Sequence, residues 1–112
     1  MIDSYRFGEV VVDGKKFTTD ITISHEGSVN SWWRREGHVL NTEDLKEVVT
    51  EDLEVLVVGT GNAGLMSVPH AVRSYVSSLG IEMIVGRTEC ACSAYNGLSG
   101  KKKVAAALHL TC

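Results

Sequence analysis

Two hydrophobic rhythms divide this chain near residue 41. Before it, apolar residues come in short stretches broken by turn residues. Tyr5–Val12 and Lys16–Ile23 read as strands flanking Asp13-Gly14, a pair suited to a two-residue type I′ hairpin. Glu26-Gly27 supplies a second turn and Val29–Arg34 a third strand. The first third therefore predicts an antiparallel meander, with Gly37 and His38 in the connection that follows.

From residue 41, helical spacing and apolar runs alternate. Asn41 or Thr42 is placed to cap a helix, with Glu43 and Asp44 favourable to its dipole and Leu45, Val48 and Val49 inward. Leu53–Val58 is a short apolar strand. Val68, Ala71, Val72, Tyr75, Val76 and Leu79 then recur at helical spacing up to Gly80, with Ser74, Ser77 and Ser78 outside. Glu82–Gly86 is the next strand. Thr88 caps a helix with Ala91, Ala94, Tyr95 and Leu98 on one face, Asn96-Gly97 closes it, and Val104–Leu110 is the last strand. The pattern predicts an α/β fold of three layers. An N-terminal antiparallel β meander is followed by αβαβαβ around a mixed, mostly parallel central sheet. Ala105, Ala106 and Ala107 mark a strand that helices approach closely. Residues 1–112 read as a single domain, long enough to bury roughly 65% of the unfolded surface.

Composition narrows the function classes. Hydrophobic residues at 44% and charged residues at 22% are ordinary for a globular chain. A net charge of −3 argues against nucleic acid as a partner, which needs a concentrated basic face. The one basic run, Lys101-Lys102-Lys103, reads as a solvated turn. Met1-Ile2-Asp3 opens without the apolar region of a secretory leader, and no apolar run reaches the ~18 residues of a membrane helix. With three cysteines, Cys90, Cys92 and Cys112, the expected setting is a reducing cytoplasm with free thiols.

The conspicuous motif is Gly59-Thr60-Gly61-Asn62-Ala63-Gly64, which matches G-x-G-x-x-G directly after an apolar strand. In a dinucleotide fold the helix begins within those glycines and meets the pyrophosphate. Here Ser67 reads as the cap and Pro69 as a first-turn residue, which starts the helix later. A helix running through Pro69 would cost about 3 kcal/mol. The ribose-binding carboxylate is also misplaced, since Glu82 lies at the near end of the next strand. The motif is better read as a wide glycine loop than as a cofactor fingerprint, and no cofactor is expected.

Three other groups are candidates. If the last strand runs parallel to its neighbours, Gly59, Thr60, Gly61, Asn62, Arg87, Thr88 and His109 share one strand-end rim suited to a small anion. If it runs antiparallel, His109 leaves the group. Trp32-Trp33-Arg34-Arg35 is a candidate interface, with one tryptophan covering the sheet and the other exposed. Cys90 and Cys92 lie early in a helix, where the dipole lowers a thiol pKa, with Cys90 bordering the buried face and Cys92 pointing outward. As C-x-C on a helix they point about 200° apart and cannot share a metal. The four histidines show no i, i+4 pairing, so no metal site and no catalytic constellation is predicted.

Several segments together resemble a known family. They are Trp33-Arg34 with Gly37-His38 and Glu43-Asp44-Leu45, then Val57-Val58-Gly59-Thr60-Gly61-Asn62, then Thr88 with Ala91, Tyr95-Asn96 and Leu98, and finally Val104–Cys112. The chain resembles the small single-domain group that includes the adipogenesis-associated domain protein, a mitochondrial complex I assembly factor, and many archaeal and bacterial proteins of unknown function. The resemblance implies a three-layer α/β fold around a mixed sheet and no catalytic residues. Where relatives often carry proline before the threonine at 88, this chain has Arg87. The reading that follows is a non-catalytic binding or assembly protein with a protein partner, a homodimer being one form of it. The alternative is a binder of, or enzyme on, a small anionic or nucleotide ligand at the rim.

Overall fold

A computed structural model describes residues 1–112. The strands are β1 (Ile2–Arg6), β2 (Glu9–Val12), β3 (Lys15–Phe17), β4 (Ile21–Ile23), β5 (Val29–Ser31), β6 (Val55–Thr60), β7 (Glu82–Gly86) and β8 (Val104–His109). Between them lie a 3-10 turn at Thr42–Leu45 and the helices α1 (His70–Ser78) and α2 (Thr88–Leu98).

The strands form two sheets. β1-β2-β3 is a small antiparallel sheet, and the central sheet has the order β5-β4-β8-β6-β7. Within it β6 is parallel to both β7 and β8, while β4 is antiparallel to β8 and β5. The central strands β6 and β8 are buried along their whole length and read as near-continuous apolar runs, as strands covered on both faces must. Val55, Val57, Val104, Ala106 and Leu108 face α2 and the small sheet. Leu56, Val58, Ala105 and Ala107 face α1 and the segment around Leu45. The three layers and the mixed central sheet are thus those the pattern predicts.

Several boundaries differ. The stretch Tyr5–Val12 is two strands, because Gly8 takes φ +77° and its N–H donates to the Leu110 carbonyl. Lys16–Ile23 is also two strands, and they belong to different sheets: β3 closes the meander while β4 pairs with β8. The hairpin at Asp13-Gly14 forms as expected, with both residues at positive φ. The helix expected from residue 41 is only the 3-10 turn. Asp44 accepts the Asn41 N–H at 2.8 Å, but the β-branched run Val48-Val49-Thr50 that follows disfavours a longer helix. Ser67 does not cap α1; its backbone bridges to the 38–40 segment, and Pro69 occupies the cap. Arg87, not Thr88, is the cap residue of α2, and the helix continues through Asn96-Gly97 to Leu98. Asn96 instead holds Ile2, accepting its N–H and donating to its carbonyl. No helix is long and apolar enough to cross a membrane.

Gly59 shows how closely the layers approach. A Cβ there would lie 2.8 Å from Thr88 Oγ1 and 3.1 Å from Thr88 Cα, so the first turn of α2 packs directly on the end of β6. Gly59→Ala should therefore cost about 1–3 kcal/mol in urea denaturation through overpacking. Gly37→Ala, where nothing lies within 4 Å of the added carbon, should change stability by no more than about 0.5 kcal/mol.

Candidate functional site

The parallel strands β6, β7 and β8 end on the same edge of the sheet, so His109 does join the rim. The rim itself is a closed seam. Gly61 N–H donates to Thr88 Oγ1 at 2.9 Å, and that hydroxyl donates to the His109 carbonyl at 2.5 Å. Asn62 N–H donates to the Thr111 carbonyl, Gly64 N–H to that of Gly61, Leu65 N–H to that of Cys112 and Met66 N–H to that of Thr60. Thr60 Oγ1 donates to the Gly86 carbonyl. Of the loop amides a phosphate would need, only that of Ala63 donates to nothing. Gly61 sits at φ +108°, with its α-carbon against the backbone of Cys112 and the ring of His109. The stem of Arg87 lies over Gly64, 3.1 Å from where a Cβ would be. None of the four cavities is lined by Gly59–Gly64, Arg87, Thr88 or His109. The glycines are explained by packing: α2 on Gly59, the chain after β8 on Gly61, Arg87 on Gly64.

Beside the seam lies a buried ionic group in which one member, Asp20, carries no motif. Register creates it. Ile21 pairs with Leu108, which sets Asp20 opposite His109. Asp20 Oδ2 lies 2.7 Å from His109 Nδ1 and 2.6 Å from Arg34 Nη1, and Oδ1 accepts the Leu110 N–H at 2.8 Å. With a guanidinium on the same oxygen the carboxylate acts as acceptor only, so His109 Nδ1 carries the proton it donates. The 3.1 Å approach of Arg34 Nη2 to Nδ1 is then a contact between donors. Arg34 also donates to the Gly37 carbonyl and stacks 4.6 Å over the Trp32 ring. The Arg34 and His109 side chains are only 6% and 7% exposed. Burial alone would raise the Asp20 carboxyl, but hydrogen bonds from His109, the Leu110 N–H and Arg34 hold it below the usual carboxylate range. No serine, threonine or cysteine side chain hydrogen-bonds to the His109 ring, and its Nε2 is buried without a partner. The group ties β4, β8 and the segment after β5 together.

The tryptophan pair divides as expected. Trp32 is 8% exposed, with its indole N–H donating to the Asp44 carbonyl at 2.9 Å. Trp33 is 86% exposed. Both line a depression of about 140 Å³ together with Thr22, Ser31, Glu43 and Glu47. Arg35 Nη1 reaches Glu43 at 3.6 Å across its rim.

Comparison with known families and structures fits this architecture. Residues 2–109 match the family described as a protein of unknown function, DUF498/DUF598. The chain belongs to the DUF498/DUF598 family. It is similar to the conserved hypothetical protein PH1505 from Pyrococcus horikoshii OT3, at 34% identity over 100% of this chain and 99% of that one, with a TM-score of 0.91. It is also similar to the protein MT938, at 30% identity over 100% and 98% of the two chains, with a TM-score of 0.83. A Mth938-like domain protein of Bordetella pertussis shares the fold, with 22% identity, 98% and 85% coverage and a TM-score of 0.70. The archaeal and bacterial family read from the sequence segments is thereby shown.

The thiols of this DUF498/DUF598 member correct one expectation. Cys92 is buried and Cys90 is exposed, the reverse of the predicted placement. The inward face of α2 runs Thr88, Ala91, Cys92 and Tyr95, which puts Cys92 in the core. Burial, aided by the charge of Glu89, pushes the Cys92 thiol up to about 12. Desolvation outweighs the helix dipole there, and Cys92 is not an activated thiol. With a disulfide-exchange reagent at pH 8, Cys90 and Cys112 should react in the native protein, while Cys92 should react only after unfolding.

The Asp20 group makes a second prediction. Asp20→Ala leaves Arg34 buried without its carboxylate and should cost about 3–5 kcal/mol in urea denaturation. Because the folded carboxyl is more acidic than in the unfolded chain, its contribution is complete above about pH 4 and is lost as pH falls through the lower folded value. The variant's stability should vary less than the parent's over that acidic range.

Proposed function

We propose that this protein is a non-catalytic binding or assembly factor whose contact with a protein partner centres on Trp33. The observation that carries the reading is the contrast between adjacent residues. Trp32 is locked into the core, while Trp33 leaves 86% of its surface in solvent beside a depression. Tryptophan and arginine are the residues that dominate binding energy at protein interfaces. Arg35 stands next to it, while the stacked pair Arg34 and Trp32 fixes the backbone from which Trp33 projects. Three free cysteines support a cytoplasmic site of action.

The alternative, a small anion at the rim, is favoured by one feature only: the Arg87 guanidinium makes no ion pair or hydrogen bond. It lacks the free amides and the recess that such a ligand uses, so the Trp33 surface is the stronger reading.

Affinity capture from the native cells followed by native mass spectrometry tests it. A defined partner should accompany the parent protein, and Trp33→Ala should weaken that complex by about 2 kcal/mol or more. The variant's own folding stability should stay within about 0.5 kcal/mol of the parent. Retention of every captured partner by Trp33→Ala would overturn the proposal.

A further inference from the structure

We infer that the open edge of β5 receives an added strand from a partner protein that carries lysine or arginine at alternate positions. The inference rests on the Trp33 reading and names the chemistry of the partner.

Hydrogen-bond parity defines the edge. Trp32 N–H donates to the Asp20 carbonyl at 2.8 Å and Ser24 N–H to the Ser28 carbonyl at 2.9 Å. In an antiparallel ladder such pairs alternate with unbonded ones, so Val29 and Ser31, opposite Ile23 and Ile21, turn N–H and C=O away from β4. β5 is the last strand of its sheet, and those groups meet no other strand. The edges of the small sheet are different. Asn96 occupies both the N–H and the carbonyl of Ile2 on β1, and β3 presents Lys15 and Lys16. No cavity borders β7 at the far end of the central sheet.

Charge selects the occupant. The depression beside Ser31 is walled by both tryptophans and by Glu43, Asp44 and Glu47. Asp44 is engaged by the Asn41 and Arg35 N–H groups, and Glu43 has only the exposed Arg35 at 3.6 Å. Glu47 makes no ion pair or hydrogen bond. An extended segment laid along β5 points alternate side chains to this face. A cationic one there meets carboxylates and an indole face together. A second copy of this chain fits less well. Its β5 offers Val29, Asn30 and Ser31, none of them cationic, and a two-fold axis through the edge adds a second acidic cluster on the same face.

The probe is an acetylated, amidated heptapeptide of alternating lysine and valine, with a glutamate-for-lysine peptide as control, added to the 15N-labelled protein. The lysine peptide should bind and slow hydrogen exchange of the Val29 and Ser31 amides by about tenfold or more at saturation. The glutamate peptide should leave both unchanged. Glu43→Gln with Glu47→Gln should weaken lysine-peptide binding about tenfold at low salt. Ser31→Pro removes an outward N–H without touching the β4 ladder and should abolish binding with the spectrum otherwise retained.

No binding of the lysine peptide at millimolar concentration, equal binding of the glutamate peptide, or protection confined to other amides would each overturn the inference. So would concentration-dependent protection of Val29 and Ser31 without peptide, which assigns the edge to a second copy. If Ser31→Pro keeps a captured partner that Trp33→Ala loses, strand addition falls while the Trp33 surface stands.

Discussion

Everything in this molecule is arranged around the complete burial of β8. The strand has β4 on one side, β6 on the other and a layer on each face, so its alternating residues must together satisfy two packing surfaces and two ladders. Alanine at 105–107 makes that possible, because a small side chain lets both covering layers close on the sheet. The parallel β6 pairing and the antiparallel β4 pairing then tie the β-rich N-terminal part to the α/β part of the chain. A register slip of one residue would turn Leu108 toward the α1 layer and His109 toward α2.

The polar groups follow from the same strand. His109, the last residue of β8, meets Asp20 because β4 is antiparallel and in that register. Its carbonyl meets Thr88 because α2 packs against the end of β6 at Gly59. The G-x-G-x-x-G match thereby acquires a mechanical meaning. Its glycines make room for a helix, a returning chain and an arginine stem, and its amides close a seam that a nucleotide would need open. The β5 end of the sheet is the complement of this closed rim. There a carboxylate-lined depression, an exposed indole and outward-facing backbone groups lie together.

Much of the fold is legible in the residue pattern. Glu82–Gly86 is a strand with the predicted bounds, the Asp13-Gly14 hairpin forms, and the helix after the glycine loop starts late, as Pro69 requires. The misplacements concern partners distant in sequence. Tyr5–Val12 looks continuous until Gly8 is seen bonded to Leu110, and Cys92 looks solvent-facing until the phase of α2 is known. Asp20 gave no signal, since it falls within Lys16–Ile23, which reads as one strand, and its role depends on the strand opposite.

By itself the sequence determined the local elements, the α/β class and the candidacy of the tryptophan pair. Those properties depend on side-chain periodicity and turn chemistry within a few residues. Only the tertiary structure decided that β8 is parallel to β6, that Asp20 and Arg34 hold His109, that the glycine rim is closed and that the β5 edge is open. Each of these depends on which strand lies beside which. Pairing between segments as far apart as Asp20 and Leu110, 90 residues along the chain, is a property of the whole packed molecule.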